Sequence, residues 1–382
     1  MYTKYVKQSL EDILRGDVVE FDLYTEDGVL LLASGTKLDS SKRSLLYSLK
    51  STNFDVYMKV DLDERTLKFD KVIELDKTVK ERAVQTLSYM FNENTDIANS
   101  LDSVKTLSDS ITDLILSSNS VSISLDALKC SDEYTYKHSL DVATISILIG
   151  RELGLNASAL RELATAGLLH DVGKRNISKE ILHKNGRLDD NEFEIIKQHP
   201  VFTYQLLQPL DQVSEVIKQA CLQHHEKWNG SGYPFHLEGQ NINYYSRILA
   251  VADVFDALVT DRPYHKHYTP SDTIEMMNSM IGHFDMDVYK LFLKTVVLYP
   301  VGTLITLSDG SHAIVIENNK ANILRPIVKR VEDNKILNLL EDMSTFNLTI
   351  VSEYADIDAA NPLDDKTAVA IKGGFLNAIC VE

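Results

Sequence analysis

The feature that most constrains this chain is a set of imidazole and carboxylate side chains in five separated stretches: His138, His170-Asp171, His199, His224-His225 and Asp253. Imidazole and carboxylate form the ligand set of first-row divalent metals, and an aspartate can bridge two ions. Neighbouring residues on a helix diverge by about 100°. Adjacent His-Asp and His-His pairs therefore serve one closed four-ligand site poorly and suit two ions side by side. Singly, each residue is a weak signal, because a lone buried histidine is more often satisfied by a hydrogen bond. Cys221, one turn before His224, likewise reads more readily as core than as a ligand. Together, the five stretches call for a helical block that brings them to one interior.

The periodicity along the chain supplies that block. Apolar residues recur at helical steps over about 132–152, 157–170, 190–208, 211–225, 242–261, 270–281 and 286–297, punctuated by Gly154, Gly186, Pro200 and Pro270. Residues 1–62 read differently, as a β-rich module. A turn falls at Glu26-Asp27-Gly28, Ser40 or Ser41 caps a short helix through Leu49, and Phe54 to Val60 forms a returning strand. Residues 63–120 are a helical linker, with a break near Asn92-Glu93-Asn94. Its stripe, including Leu87, Met90, Leu101, Val104 and Ile111, suits either plain core or a homodimer seam. Residues 298–354 form a small β appendage around the hairpin turn Ser308-Asp309-Gly310, and 355–382 is a tail.

With 39 basic against 56 acidic residues the formal charge is −17. That charge argues against holding DNA or RNA polymers, whereas a small anion needs only local compensation from metal ions and a few cations. No apolar run reaches the ~18–20 residues of a membrane span. The first residues show no secretory signal, and three scattered cysteines, Cys130, Cys221 and Cys380, suit a reducing compartment. We expect a cytoplasmic protein.

At the metal-ligand stretches the chain resembles the HD-GYP family, a branch of the HD phosphohydrolases. The likeness runs from Tyr134 to about Phe292, under half the chain. It is carried by His170-Asp171 followed by Gly173-Lys174, His199-Pro200, His224-His225-Glu226, Gly230-x-Gly232-Tyr233-Pro234, and Ala252-Asp253-Val254-Phe255-Asp256-Ala257 continuing to Asp261-Arg262-Pro263-Tyr264. The resemblance implies a mainly α protein, with an HD-type helical bundle as catalytic domain over 121–297 between the two small β modules. It implies hydrolysis of cyclic di-GMP to linear pGpG, in some members on to GMP, by a metal-activated hydroxide at a dinuclear His/Asp site. A phosphodiesterase for another cyclic dinucleotide, or a cyclic di-GMP receptor with little turnover, stays open.

Carried over residue by residue, the resemblance places His138, His170, Asp171, His199, His224, His225 and Asp253 around two divalent ions, with Asp171 as the bridge. Iron or manganese suits the donors best; zinc, magnesium, nickel and cobalt remain alternatives. Two ions about 3.5–4 Å apart would activate water and offset charge on the attacking and leaving oxygens. Lys174, one helical turn from His170, can contact a phosphoryl oxygen, and Glu226 is expected to orient the ligands. In the Asn229–Pro234 loop, Gly230 and Gly232 permit positive φ or close backbone approach, and Pro234 fixes its own φ. That loop lines a nucleotide pocket or docks a protein partner. Trp228 and Tyr233 offer faces for guanine, and Arg262 and Lys266 offer charge to the substrate. Asn229 stands where many members have Asp, His265 where many have Lys or Arg, and Ser178 where Pro is frequent. Members with a third ion carry a Glu one turn before the first metal-binding histidine. Tyr134 holds that place here, so we expect two ions.

Overall fold

Short apolar runs separated by turn residues near the N-terminus pair as strands. The computed structural model describes residues 2–8, 10–19, 21–25, 29–51, 56–62, 66–68, 72–73, 75–118, 122–123, 134–182, 184, 186, 188–259, 270–280 and 282–353. In it β1 (Tyr2–Gln8) and β4 (Val56–Leu62) run antiparallel. With β2 (Leu23–Tyr24) and β3 (Leu30–Leu32) they make a sheet of order β1-β4-β2-β3. Two helices join it, α1 (Leu10–Arg15) and α2 (Ser40–Ser51), and Leu14, Val19, Leu23, Leu38, Leu46 and Val56 form the core. The helix expected from Ser40 or Ser41 is capped one residue earlier. Asp39 Oδ1 accepts the Lys42 N–H at 3.0 Å, and a carboxylate there also gains from the helix dipole.

The described residues of the next unit, Lys71–Leu298, are mainly helical. A short parallel ladder joins β5 (Val72–Ile73) to β6 (Ser122–Ile123). Between them lie α3 (Lys77–Phe91) and α4 (Leu101–Ser117), separated around Asn92 as expected. Their apolar stripe, including Leu87, Met90, Val104, Leu107 and Ile111, is buried, with α3 packed on α5 and α4 on α6. α5 (Tyr134–Glu152) is the central helix, and Val142, Ala143, Ile145, Ile147, Leu148 and Ile149 are all buried. A helix apolar on every side belongs inside a bundle. Against it lie α6 (Ala157–Leu169), α11 (Tyr244–Val259) and α13 (Met286–Thr295). Gly167 permits the tight α5–α6 contact, because a Cβ there would lie 2.6 Å from the Ala143 Cα. The remaining helices are α7 (Lys179–Leu182), α8 (Asp190–Ile196), α9 (His199–Leu207), α10 (Glu215–Gln223) and α12 (Pro270–Ser279).

The single helix expected over 190–208 is two, α8 and α9. Pro200 has no N–H to give to the Ile196 carbonyl four residues back, and its ring clashes there, so the helix breaks. That break sets His199 at the head of a new helix.

Five C-terminal strands, β7 (Leu304–Leu307), β8 (His312–Glu317), β9 (Ile327–Arg330), β10 (Ile336–Asn338) and β11 (Ile350–Glu353), form an antiparallel sheet of order β10-β9-β8-β7-β11. The expected hairpin is its β7–β8 pair. By contacts this sheet joins the N-terminal module in one unit, Met1–Asp70 with Tyr299–Glu382. The Lys68 N–H donates to the Ile316 carbonyl at 2.9 Å, and Lys68 Nζ lies 2.6 Å from Glu317.

Candidate functional site

All seven expected ligands converge inside the helical unit. His138 comes from α5, His170 and Asp171 from the end of α6 and the turn after it, His199 from α9, His224 and His225 from the end of α10, and Asp253 from α11. The rings of His170 and His224 lie 4.9 Å apart, and those of His224 and His225 4.1 Å. Close fit holds the parts together. A Cβ on Gly173 would sit 2.2 Å from the His199 carbonyl oxygen, so only glycine lets the turn after Asp171 seat against α9.

Three of the histidines share one local device. The last carbonyls of a helix lack intrahelical partners, and these rings fill them. His170 Nδ1 donates to the Gly167 carbonyl at 2.7 Å, His224 Nδ1 to Cys221 at 2.6 Å, and His199 Nδ1 to Ile196 at 2.7 Å. The Ile196 carbonyl is the one that Pro200 leaves unbonded. With Nδ1 tied behind, each Nε2 carries its lone pair inward, the arrangement a metal ligand needs.

Asp171 stands at the centre, 1% exposed. Its Oδ1 lies 3.1 Å from His199 Nε2 and 3.9 Å from His224 Nε2. Its Oδ2 lies 3.4 Å from His170 Nε2 and 3.6 Å from His138 Nε2. Two donor sets therefore share this residue, Asp171-His199-His224-His225 and His138-His170-Asp171. Asp253 closes the second side, with Oδ1 3.1 Å from His138 Nε2 and Oδ2 3.7 Å from His225 Nδ1.

The electrostatics favour cations. Burial opposes ionisation of Asp171, but the Lys174 ammonium and the neighbouring histidines outweigh it and hold the carboxyl well below the usual range. Asp253 is likewise held down against burial, by His138 and His225. Burial also works against a charge on His138, yet hydrogen bonds with Asp253 and Asp256 push it up to about 10. Burial, together with neighbouring histidines, lowers His224, and burial and His199 push His225 down to about 3. His224 and His225 are thereby ready as neutral donors. The donor set fits divalent ions, and two buried ligand atoms, His170 Nε2 and Asp171 Oδ1, make no hydrogen bond.

The other expected residues divide. Lys174 lies in a 3-10 turn (Val172–Asn176) rather than on α6, and its Nζ is 2.5 Å from Asp171 Oδ2. Tyr233 is at the site, its ring 4.8 Å from that of His225, and burial beside Asp253 raises its phenol. Lys197 Nζ lies 5.7 Å from the Tyr233 ring centre. Trp228 is occupied otherwise, its ring 5.4 Å from the Arg247 guanidinium. Asn229 makes a local turn, with Oδ1 accepting from Ser231 N and Oγ. The two loop glycines take separate roles: Gly230 has φ +76°, and a Cβ on Gly232 would meet the His225–Lys227 backbone at 2.3–2.5 Å. Pro234 follows a cis peptide bond. Arg262 and Lys266 lie outside the described residues, as do the Tyr134 side chain and Glu133.

Glu226 corrects an expectation. Its carboxylate accepts the N–H groups of Phe235 at 2.7 Å and Leu237 at 3.0 Å, so it holds the loop rather than the histidines. Cys221 is core, as read, its thiol 3.6 Å from the Ala166 carbonyl. Two acids were missed: Asp256, bonded to His138, and Asp141. Their spacing three residues after Asp253 and His138 was the available signal.

These features define a helical fold with a buried His/Asp cluster whose donors could hold divalent metal, and residues 112–288 match the HD domain family. Over that region the chain is similar to proteins named as cyclic dinucleotide phosphodiesterases. It is 41% identical over 223 residues to a cyclic di-GMP phosphodiesterase of Pseudomonas aeruginosa, covering 58% of this chain and 54% of that protein. It is 30% identical over 218 residues to the cyclic di-GMP phosphodiesterase PdeB of Borreliella burgdorferi, covering 56% and 57%. It is 35% identical over 171 residues to a 3'3'-cGAMP-specific phosphodiesterase of Vibrio cholerae, covering 44% and 39%. The chain thus spans about half the length of the first two and less of the third. Among the described residues no helix is long and apolar enough to cross a membrane.

Proposed function

We propose that this chain is a metal-dependent phosphodiesterase that hydrolyses cyclic di-GMP to linear pGpG. The observation that carries the reading is Asp171, which turns one carboxylate oxygen to each of two histidine sets. Relatives named as cyclic di-GMP phosphodiesterases support the substrate. In this reading His199, His224 and His225 hold one ion, His138, His170 and Asp253 the other, and Asp171 both. Iron or manganese is the preferred pair on donor chemistry. Divalent ions there supply Lewis acidity, which acidifies water and offsets charge on phosphoryl oxygens.

The protein's own part is positional. Lys174, beside Asp171, neutralises a non-bridging phosphoryl oxygen. Tyr233 walls the site beside His225 and keeps bulk water from the reacting phosphate. Asp253 and Asp171 remain ionised throughout and act as ligands rather than as proton carriers. Self-association through α3 and α4 is not part of this reading, because their apolar stripe is spent inside the unit.

A second reading is a phosphodiesterase for the mixed GMP-AMP ring, favoured by the Vibrio cholerae relative. The test is incubation with each cyclic dinucleotide and manganese or ferrous iron, with products separated by chromatography. We expect the linear dinucleotide from cyclic di-GMP at the higher kcat/KM. Preference for the mixed ring would move the chain to the second reading, and binding without turnover would make it a receptor.

A further inference from the structure

Two carboxylates that no step above employs lie behind His138. Asp256 on α11 is fully buried and Asp141 on α5 is 1% exposed. Asp256 Oδ2 lies 2.6 Å from His138 Nδ1. Asp141 lies near Asp256, and its buried Oδ1 has no hydrogen-bond partner among the described residues.

The need for Asp256 follows from where His138 sits. The other three oriented rings stand at helix ends or at a proline break, where a backbone carbonyl is spare to hold Nδ1. His138 lies inside α5, where the carbonyls of the preceding turn are taken by the helix itself. A side-chain acceptor must do what backbone does elsewhere. α11 supplies it three residues beyond Asp253, on the same helix face. One helix thus presents Asp253 to Nε2 at 3.1 Å and Asp256 to Nδ1 at 2.6 Å, gripping the ring from both edges.

We propose that Asp256 is a positioning residue that holds His138 with Nδ1–H outward and Nε2 toward Asp171 and Asp253. The inference rests on the metal reading above.

The test uses zinc, a diamagnetic probe, on the full chain. In the wild-type protein loaded with zinc, long-range proton–nitrogen correlation spectra should show His138 protonated at Nδ1 and metal-bound at Nε2. Asp256→Asn, nearly isosteric, should weaken one of two zinc sites roughly ten- to a hundredfold, the scale of losing such a partner, and leave the other as in wild type. Two sites of wild-type affinity in Asp256→Asn, or a His138 bound through Nδ1, would overturn the inference while leaving the metal reading intact. Wild-type protein that takes up no zinc would sink the metal reading, and this inference with it. Should Asp256→Asn fail to fold, the wild-type spectrum still decides.

Discussion

Glu226 accepts the backbone N–H of Phe235 at 2.7 Å, so the acid that follows the histidine pair anchors the Gly-Tyr-Pro loop from below. With the Leu237 N–H it satisfies two donors that a truncation would strand. An unsatisfied buried donor costs about 1–3 kcal/mol. Glu226→Ala should therefore leave metal content unchanged but raise KM, with faster amide exchange at Phe235 and Leu237. Loss of metal with unchanged loop exchange would return Glu226 to orienting the metal ligands.

Asp171 belongs to both donor sets, whereas His199 belongs to one. Asp171→Ala should lose both ions and all hydrolysis. His199→Ala should keep one ion and lose most turnover. Metal analysis of the purified variants separates these outcomes, and near wild-type turnover with full occupancy in Asp171→Ala would refute the assignment. His170→Ala should resemble His199→Ala on the other side.

Lys174 pairs with Asp171 but is no metal donor in this reading. Hydrogen bonds to charged groups contribute about 1.5–3 kcal/mol, so Lys174→Ala should lower kcat/KM roughly ten- to a hundredfold with metal retained. Arg262→Ala should act in the same direction. Metal loss in the Lys174 variant would place the ammonium among the groups that build the site.

The two loop glycines should differ under alanine substitution. At Gly230 an added Cβ would meet only ordinary contacts of 3.6 Å or more, but φ is positive, a conformation that costs a non-glycine residue about 1–2 kcal/mol. At Gly232 the added Cβ meets backbone at 2.3 Å, and overpacking against atoms that cannot yield costs about 3 kcal/mol or more. Thermal melts should rank Gly232→Ala as the more damaging. The reverse order would contradict the described loop.

Tyr245 titrates late: burial, then the nearby Glu162, pushes its phenol up to about 12. The folded value lies above the unfolded value of about 10, so its contribution to stability is whole below pH 10 and is lost as pH rises from there toward 12. Difference absorbance of phenolate between wild type and Tyr245→Phe should show a midpoint near 12 in the folded protein. A midpoint near 10 would mean an exposed phenol.

Ligand chemistry and helical placement were legible in the sequence because both are local. Helical periodicity locates α5, α6, α10 and α11, and the ligand types read off directly as His and Asp. The two-ion reading followed from adjacent pairs diverging on a helix. Even the seat of His199 was written locally, in Pro200, although the break it causes was not foreseen. What only the tertiary structure decided is orientation. Asp171's two oxygens facing two histidine sets, Asp256 reaching His138 from 118 positions away, Glu226 turned to Phe235, and Trp228 paired with Arg247 all depend on helices packed at long range. No periodicity encodes which neighbour a side chain meets across a core. That is set by the close fit of α5 against α6 at Gly167 and of the turn after Asp171 against α9 at Gly173, contacts that exist only once the bundle has closed.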